Sequence, residues 1–147
     1  SQWTTKKSNQ TLMIFKSMHK DIQKYNNALK GEDKAISKKL AEEIDKSLKK
    51  AESKLWHGGP VWFIEGNPVA GYSKRKVGVT LLFWSGQSFK AKGLEKEGSF
   101  KAAQKNYTSA DEIKLKDLRL WLKESKTVQW DYKNIVKRKG KLIRLKV

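Results

Sequence analysis

The stretch LWHGGPVWFIEGNPVAGYSKRK, residues 55–76, decides the fold of this chain. Turn residues interrupt its aromatic and apolar residues twice, at Gly58-Gly59-Pro60 and at Gly66-Asn67. Glycine, asparagine and proline at such spacing are typical of the turns between short antiparallel strands. The stretch therefore predicts one strand from Pro60 to Glu65 and a return strand from Val69 to Ser73.

Further strands are predicted downstream. The residues from Lys76 to Trp84 alternate, which is the period of a strand. One side carries Val77, Val79, Leu81 and Phe83, and the other carries Thr80, Leu82 and Trp84. Large apolar groups on both sides favour a central position in the sheet. A further short strand is predicted from Phe100 to Tyr107, after a glycine-bearing loop.

Helical periodicity flanks this region on both sides. Two apolar stripes with 3- and 4-residue spacing predict an N-terminal helix hairpin. The stripes consist of Phe15, Met18, Ile22, Tyr25 and Leu29, and of Ile36, Leu40, Ile44, Leu48, Ala51 and Leu55. After the strands, a helix is predicted from Asp111 to Glu124, capped by Thr108 or Ser109, and a last helix from Val128 to Lys139.

This order of elements predicts an α+β fold. We expect an antiparallel sheet of about four or five strands, with the N-terminal helix hairpin and two C-terminal helices packed on it. The absence of a Pro-, Gly- or Ser-rich linker indicates a single domain, residues 21–147, preceded by an N-terminal extension, residues 1–20.

Composition narrows the classes of function. No apolar run approaches 18 residues, so we expect no membrane span, and no cysteine is present, which is typical of a cytoplasmic protein. The net charge of +18 predicts attraction to anions, yet all but four of the 33 basic residues are lysine. Lysine-rich surfaces are also common as solvated exteriors, so both interpretations stay open.

Motifs for catalysis are missing from the sequence. The segment around Ser85 and Ser88 is not a Gly-x-Ser-x-Gly elbow, and no glycine run has the phosphate-binding pattern. The two histidines, His19 and His57, have no set of ligand residues at metal-binding spacing, although Glu65 and Asp131 could join His57. We therefore expect a binding protein rather than an enzyme.

The aromatic residues give the strongest functional signal. Tryptophans next to polar residues, with cations nearby, predict a cleft that holds an anionic ligand or an acidic partner protein. Indoles would stack on the ligand, Arg75 and Lys133 would neutralise its charge, and His57 and Gln87 would orient it. The predicted ligand-binding residues are His57, Trp62, Arg75, Trp84, Gln87, Trp130 and Lys133.

Four segments together resemble the YdhG-like family of small bacterial domains of unknown function. They are LWHGGPVWF, GNPVAGYSK, LLFWSGQSF and QWDYKNIVKRKG, and the resemblance covers about Asp21 to Leu145. It implies a compact α+β fold that is distantly similar to frataxin.

The resemblance also implies an alternative function, because some members of the family are described as intracellular iron chaperones. The matching carboxylates would be Glu42, Glu43 and Asp45, although interleaved lysines oppose a cation there. Non-specific nucleic-acid binding is a second alternative, which follows from the positive charge.

Overall fold

Two helices open the described part of the computed structural model, residues 18–147. Helix α1 spans Lys20–Ala28, and helix α2 spans Gly31–Ser47. The imidazole Nδ1 of His19 accepts a hydrogen bond from the backbone N–H of Asp21 at 3.1 Å, so His19 caps α1. The helix hairpin was predicted, while Phe15 and most of the expected N-terminal extension lie outside the described residues.

Helix α2 is shorter than its apolar stripe predicts. Leu48 and Ala51 are buried, but the chain leaves the helix after Ser47, and strand β1 spans Glu52–Trp56. The stripe continues past the helix because the turn that follows also faces the core. Leu55, the last member of the stripe, lies on β1 and is 42% exposed.

The strands form one antiparallel sheet. After β1 come β2 (Gly59–Ile64), β3 (Asn67–Lys74), β4 (Val79–Phe83), β5 (Glu95–Lys96) and β6 (Ala103–Tyr107). Their order is β1-β2-β3-β4-β6-β5, which makes β4 an interior strand, as predicted, and β1 and β5 the outer ones. The described part thus has six strands rather than four or five, since β1 replaces the expected end of α2 and the loop after Ser85 contributes β5.

One helix follows the sheet instead of the two predicted. Ser109 and Glu112 form a capping box around a 3-10 turn, Ala110–Glu112, and helix α3 spans Leu115–Ser125. Backbone N–H groups of Thr108 and Ser109 bind the Glu112 carboxylate and hold its pKa below the usual range.

The predicted last helix, Val128 to Lys139, is wrong. Residues 133–140 form consecutive turns instead, and Trp130 pairs with Arg144 in an isolated antiparallel bridge. The segment therefore doubles back along the sheet end, which a helix of that length would not do. We call residues 128–147 the C-terminal segment.

All three described helices pack on one face of the sheet. The core joins Ile22, Leu40 and Ile44 of the first two helices and Leu118 of α3 to the strands. The strand residues of this core are Trp62, Val69, Ala70, Tyr72, Val79, Leu81, Phe83 and Tyr107. Because side chains alternate along a strand, Val61, Gly71, Leu82 and their neighbours point to the opposite face. No helix of the described residues covers that face, which we call the open face.

Polar groups join the helices to the sheet inside this core. The Tyr72 hydroxyl bonds to the side-chain carbonyl of the buried Asn26 on α1, and burial raises the pKa of Tyr72. The indole Nε1 of Trp62 donates a hydrogen bond to Asp45 Oδ1 on α2 at 2.7 Å. Within residues 18–147, no helix has the length and apolar character needed to cross a membrane.

The Trp62–Asp45 bond gives a stability prediction. We expect Trp62→Phe to lower the free energy of unfolding by about 2–3 kcal/mol, because it removes a hydrogen bond to a carboxylate and leaves a space in the core. Urea denaturation at neutral pH measures this change. The control is Trp84→Phe on the open face, where we expect a loss below about 1 kcal/mol; equal losses in the two variants would contradict the interpretation.

Candidate ligand-binding surface

Trp62 does not belong to an open cleft, which corrects the sequence prediction. Its side chain is fully buried beneath the helices, with its ring 6.0 Å from that of Tyr72. Trp84 lies on the open face, so the sheet separates the two indoles that were expected to share one surface. The prediction failed because alternation along a strand shows that two faces differ without showing which face the helices cover.

The open face instead carries a contiguous row of aromatic side chains, Trp56, Phe63 and Trp84, which we call the aromatic row. The Trp56 ring lies 5.4 Å from that of Phe63 and 6.1 Å from that of Trp84, measured between centroids. Both tryptophans are half-buried, while Phe63 is buried beneath them. At these distances the rings support one another by edge and offset contacts and leave indole surface accessible to solvent.

Two groups that can be positively charged border the aromatic row. The Lys54 ammonium lies 5.0 Å from the centroid of the Phe63 ring, a cation–π distance. The His57 imidazole lies 4.1 Å from the Trp56 ring and is exposed, in the turn between β1 and β2. His57 adopts a positive φ of 50°, so the tight turn itself presents its ring at the sheet end.

Gly71 on β3 gives the Trp84 indole its place on the sheet. A Cβ atom at Gly71 would lie 3.2 Å from Cζ3 of Trp84 and 2.6 Å from the carbonyl oxygen of Pro60. The missing side chain therefore lets the indole lie against the strand, close to Val61. Gly71 thus determines how closely the Trp84 indole approaches the sheet.

Arg75 lies at the same end of the sheet as His57. It is exposed in the turn between β3 and β4, and its backbone N–H bonds to the Gly78 carbonyl at 2.9 Å. Register places the start of β2 beside the end of β3, which brings the two turns to one edge. Two of the predicted residues therefore share this end, apart from the others.

Gln87, Trp130 and Lys133 lie at the opposite end, near the end of β4 where Trp84 follows the strand. The Gln87 amide donates to the Ala102 carbonyl at 2.8 Å, so it holds the loop between β4 and β6. The Lys133 ammonium donates to the Glu65 carbonyl at 3.2 Å and lies over the β2–β3 turn. Both side chains therefore already have partners in the protein.

The buried amide of Asn67 ties the C-terminal segment to the sheet. Its Nδ2 donates to Gln129 Oε1 at 3.1 Å and to the Trp130 carbonyl at 3.0 Å, and its Oδ1 accepts from the Lys133 backbone N–H at 2.9 Å. The Ser85 hydroxyl accepts from the Trp130 backbone N–H at 2.9 Å. The stretch of residues 55–76, the end of β4 and the C-terminal segment therefore meet in space, joined by these polar contacts rather than by a shared cleft.

The Trp130 indole forms a second aromatic and cationic site at this end. Its Nε1 donates to the Ser88 hydroxyl at 3.0 Å, which fixes the ring. The Lys101 ammonium lies 4.5 Å from the ring centroid, and the Arg144 guanidinium carbon lies 5.9 Å from it. The ring is thus occupied by the protein's own cations.

Asp131 is a buried carboxylate beside this site. Arg138 and Asn134 bind it from the following turns, and these contacts hold the pKa of Asp131 below its usual range. Burial and a hydrogen bond from the Lys101 backbone N–H act oppositely on the neighbouring Tyr132, with burial the stronger, so the pKa of its hydroxyl is raised. Asp131 therefore organises the turns and is not available to join His57 at a metal.

The carboxylates Glu42, Glu43 and Asp45 do not form one site. Glu42 is exposed and pairs with Lys46 at 3.1 Å, whereas Glu43 is buried and pairs with Arg119 at 2.9 Å. Asp45 accepts the Trp62 hydrogen bond described above. Within the described range, no three histidine, aspartate or glutamate side chains are grouped as metal ligands.

Sequence reasoning missed Trp56, Lys54 and Asn67. The position of Trp56 just before the His-Gly-Gly turn was the available signal, because a residue there pairs with the first residue of the next strand. The sequence predicts Asn67 as a turn residue only, and nothing in the local sequence shows that its amide is buried. A search of family models, curated proteins and solved structures finds no match to this chain, so the resemblance to the YdhG-like family stays a prediction.

The Asn67 amide predicts how the C-terminal segment is held. We expect Asn67→Ala to lower the free energy of unfolding by about 3 kcal/mol, since three hydrogen bonds are lost, and to speed tryptic cleavage within residues 133–141. Asn106→Ala is the control, because this exposed amide joins Thr80 and Val77 away from the segment. Wild-type cleavage rates in Asn67→Ala would contradict this role.

The lowered pKa of Asp131 predicts a dependence of stability on pH. The unfolded chain takes up the proton at a higher pH than the folded chain, so the stabilisation is complete above the ordinary aspartate pKa of about 4 and is lost as the pH falls through the folded value. We expect the stability difference between wild type and Asp131→Asn to be largest near neutral pH and to shrink in acid.

Urea denaturation across a pH series measures this difference. Asp111→Asn is the control, because Asp111 is exposed and has no ion pair in the described part. A difference between wild type and Asp131→Asn that stays constant down to about pH 3 would contradict the assignment.

Proposed function

We propose that this chain is a binding domain, and that its aromatic row receives an anionic ligand that carries a flat apolar group. The observation that carries the proposal is the contact between two half-buried indoles, Trp56 and Trp84, on the open face beside Lys54. Half-buried, mutually supporting indoles with a cation next to them form a stacking surface with a charge partner.

The flat part of the ligand follows from the indoles. Base–aromatic stacking contributes about 1–3 kcal/mol for each ring, and the preformed contact between the two tryptophans spares the cost of ordering them on binding. The negative charge of the ligand follows from Lys54 and from the net charge of +18, which raises the local concentration of anions. The ligand class is thus an aromatic or heterocyclic anion, and an acidic partner protein that presents an aromatic side chain fits the same chemistry.

The direct test is a titration of tryptophan fluorescence with adenosine monophosphate and, in parallel, with uncharged adenosine. We expect the nucleotide to quench the signal and to bind more tightly than the nucleoside. Trp84→Ala should weaken nucleotide binding about tenfold, through the lost stacking. Lys54→Gln should weaken it about threefold, and Glu52→Gln, which removes an acid from the same side of β1, should strengthen it slightly.

The matched control is Lys116→Gln, an exposed lysine on α3 that lies with the helices on the covered face. It lowers the net charge by the same amount as Lys54→Gln and should leave the affinity unchanged. No fluorescence change at about 1 mM nucleotide, or equal effects of the two lysine variants, would contradict the proposal.

Non-specific nucleic-acid binding is the second candidate, and the positive charge is what favours it. In that case the logarithm of the affinity for single-stranded DNA falls linearly with the logarithm of salt concentration, with a slope set by the number of phosphates contacted. A flat salt response dismisses it. An iron-chaperone role has less support, because the protein's own donors already bind the three proposed carboxylates: Lys46 pairs with Glu42 and Glu43, Arg119 pairs with Glu43, and the Trp62 indole donates to Asp45.

We also propose a cytoplasmic location and a relation to the YdhG-like family. The lack of cysteine supports the first, since a reducing compartment gives disulfides no role. The four matching segments and the order of helix hairpin, antiparallel sheet and C-terminal helix support the second.

A further inference from the structure

A pocket of about 600 Å³ opens where the ends of α2, β2 and α3 meet. Its floor is apolar and consists of Leu48, Ala51 and Ile64. Leu48 and Ala51 are the buried residues that follow α2, and Ile64 ends β2 and packs against the core on the helix side. The pocket is therefore separate from the aromatic row, which lies on the open face.

Lysines surround this floor. Lys46, Lys49, Lys50 and Lys126 line the pocket, and none of the lining residues from the described range 18–147 is acidic. Lys46 is paired with Glu42, but the other three form no ion pair within residues 18–147. Lys46 also lies 3.8 Å from Glu43, so the four ammonium groups have two acidic neighbours, and both of these belong to Lys46.

Helix dipoles account for only part of this arrangement. The carbonyl ends of α2 and α3 favour cations, which explains Lys46 in the last turn of α2 and Lys126 at the end of α3. Lys49 and Lys50 lie beyond α2 in the turn towards β1, where the dipole field has largely decayed. Their charges repel each other and those of Lys46 and Lys126, and an anion in the pocket relieves that repulsion.

We propose that this pocket binds an organic acid with an apolar body, of the size of a medium-chain alkyl carboxylate. The carboxylate meets Lys49, Lys50 and Lys126 at the rim, and the apolar chain covers Leu48 and Ile64. Lysine suits such a head group because its ammonium is a compact charge on a long stem and can reach it from several directions. Charge complementarity selects an acid over an amine or an alcohol with the same chain.

The test is calorimetric titration of the full chain with octanoate, with octylammonium and 1-octanol as comparators. We expect octanoate to bind with a dissociation constant of about 1 mM or below, and the two comparators to bind at least about fivefold more weakly. The variant Lys49→Gln/Lys50→Gln/Lys126→Gln should weaken octanoate binding at least about fivefold.

The matched control is Lys137→Gln/Lys139→Gln/Lys141→Gln, which removes the same charge from the exposed turns of the C-terminal segment. It should change octanoate affinity less than about twofold. Equal weakening by both triple variants, or equal binding of octanoate and octylammonium, overturns the proposal. Urea midpoints close to the wild type confirm that each variant is folded before it is titrated.

Two further variants separate this site from the aromatic row. Trp56→Ala and Trp84→Ala should leave octanoate affinity unchanged, and a loss of octanoate binding in either variant overturns the pocket as its site. Conversely, the Lys49→Gln/Lys50→Gln/Lys126→Gln variant should still bind adenosine monophosphate, because the nucleotide site lies on the open face. Failure of the nucleotide titration alone leaves the octanoate result standing, so the two proposals fail independently.

Discussion

The alternation of side chains along β2, β3 and β4 is the constraint on which the other features depend. It sends Trp62 and Tyr72 towards the helices and Val61 and Gly71 towards the open face. A slip of one residue in this register would exchange the two sets, exposing the Trp62 indole and burying surface that is now accessible. The Trp62–Asp45 bond and the close fit of Trp84 over Gly71 both oppose such a slip, one from each face.

The C-terminal segment depends on this sheet without being part of it. The Asn67 side chain and the Ser85 hydroxyl supply partners for backbone groups of Trp130 and Lys133, which lie outside any helix. Asp131 and its partners then fix the following turns. The segment thus brings Trp130 to Lys101, so the second aromatic site is a product of polar contacts at the end of the sheet.

Much of the fold could be predicted from the sequence because its signals are local. The turns just before Gly59 and Asn67, the alternation from Val79 to Trp84, and the helical spacing from Ile36 to Ile44 each depend on neighbouring residues only. The failures have a different origin. The end of α2 was misplaced because Leu48 and Ala51 serve the core from outside the helix. The last helix was wrong because the backbone N–H groups of Trp130 and Lys133 bond to side chains 45 and 66 residues away in the sequence.

The sequence predicted only part of the candidate site, because the rest depends on contacts between residues that are distant in the sequence. Trp84 and His57 belong to the surface that the structure presents, but the residue that joins them, Trp56, becomes prominent only when β1 pairs with β2. Trp62 was expected on the ligand-binding surface because alternation along a strand separates the two faces of the sheet but does not show which face the helices cover.

The two outer strands affect whether the sheets of separate molecules can pair edge to edge at high protein concentration. Strand β5 has only two residues, Glu95 and Lys96, and β1 places the charged Glu52 and Lys54 along the other margin of the sheet. A short or charged margin is a poor template for a strand from another molecule, and mutual repulsion between chains of +18 adds to this. The sheet is thereby insulated against growing into intermolecular fibrils, even though half of its surface lacks a helical cover.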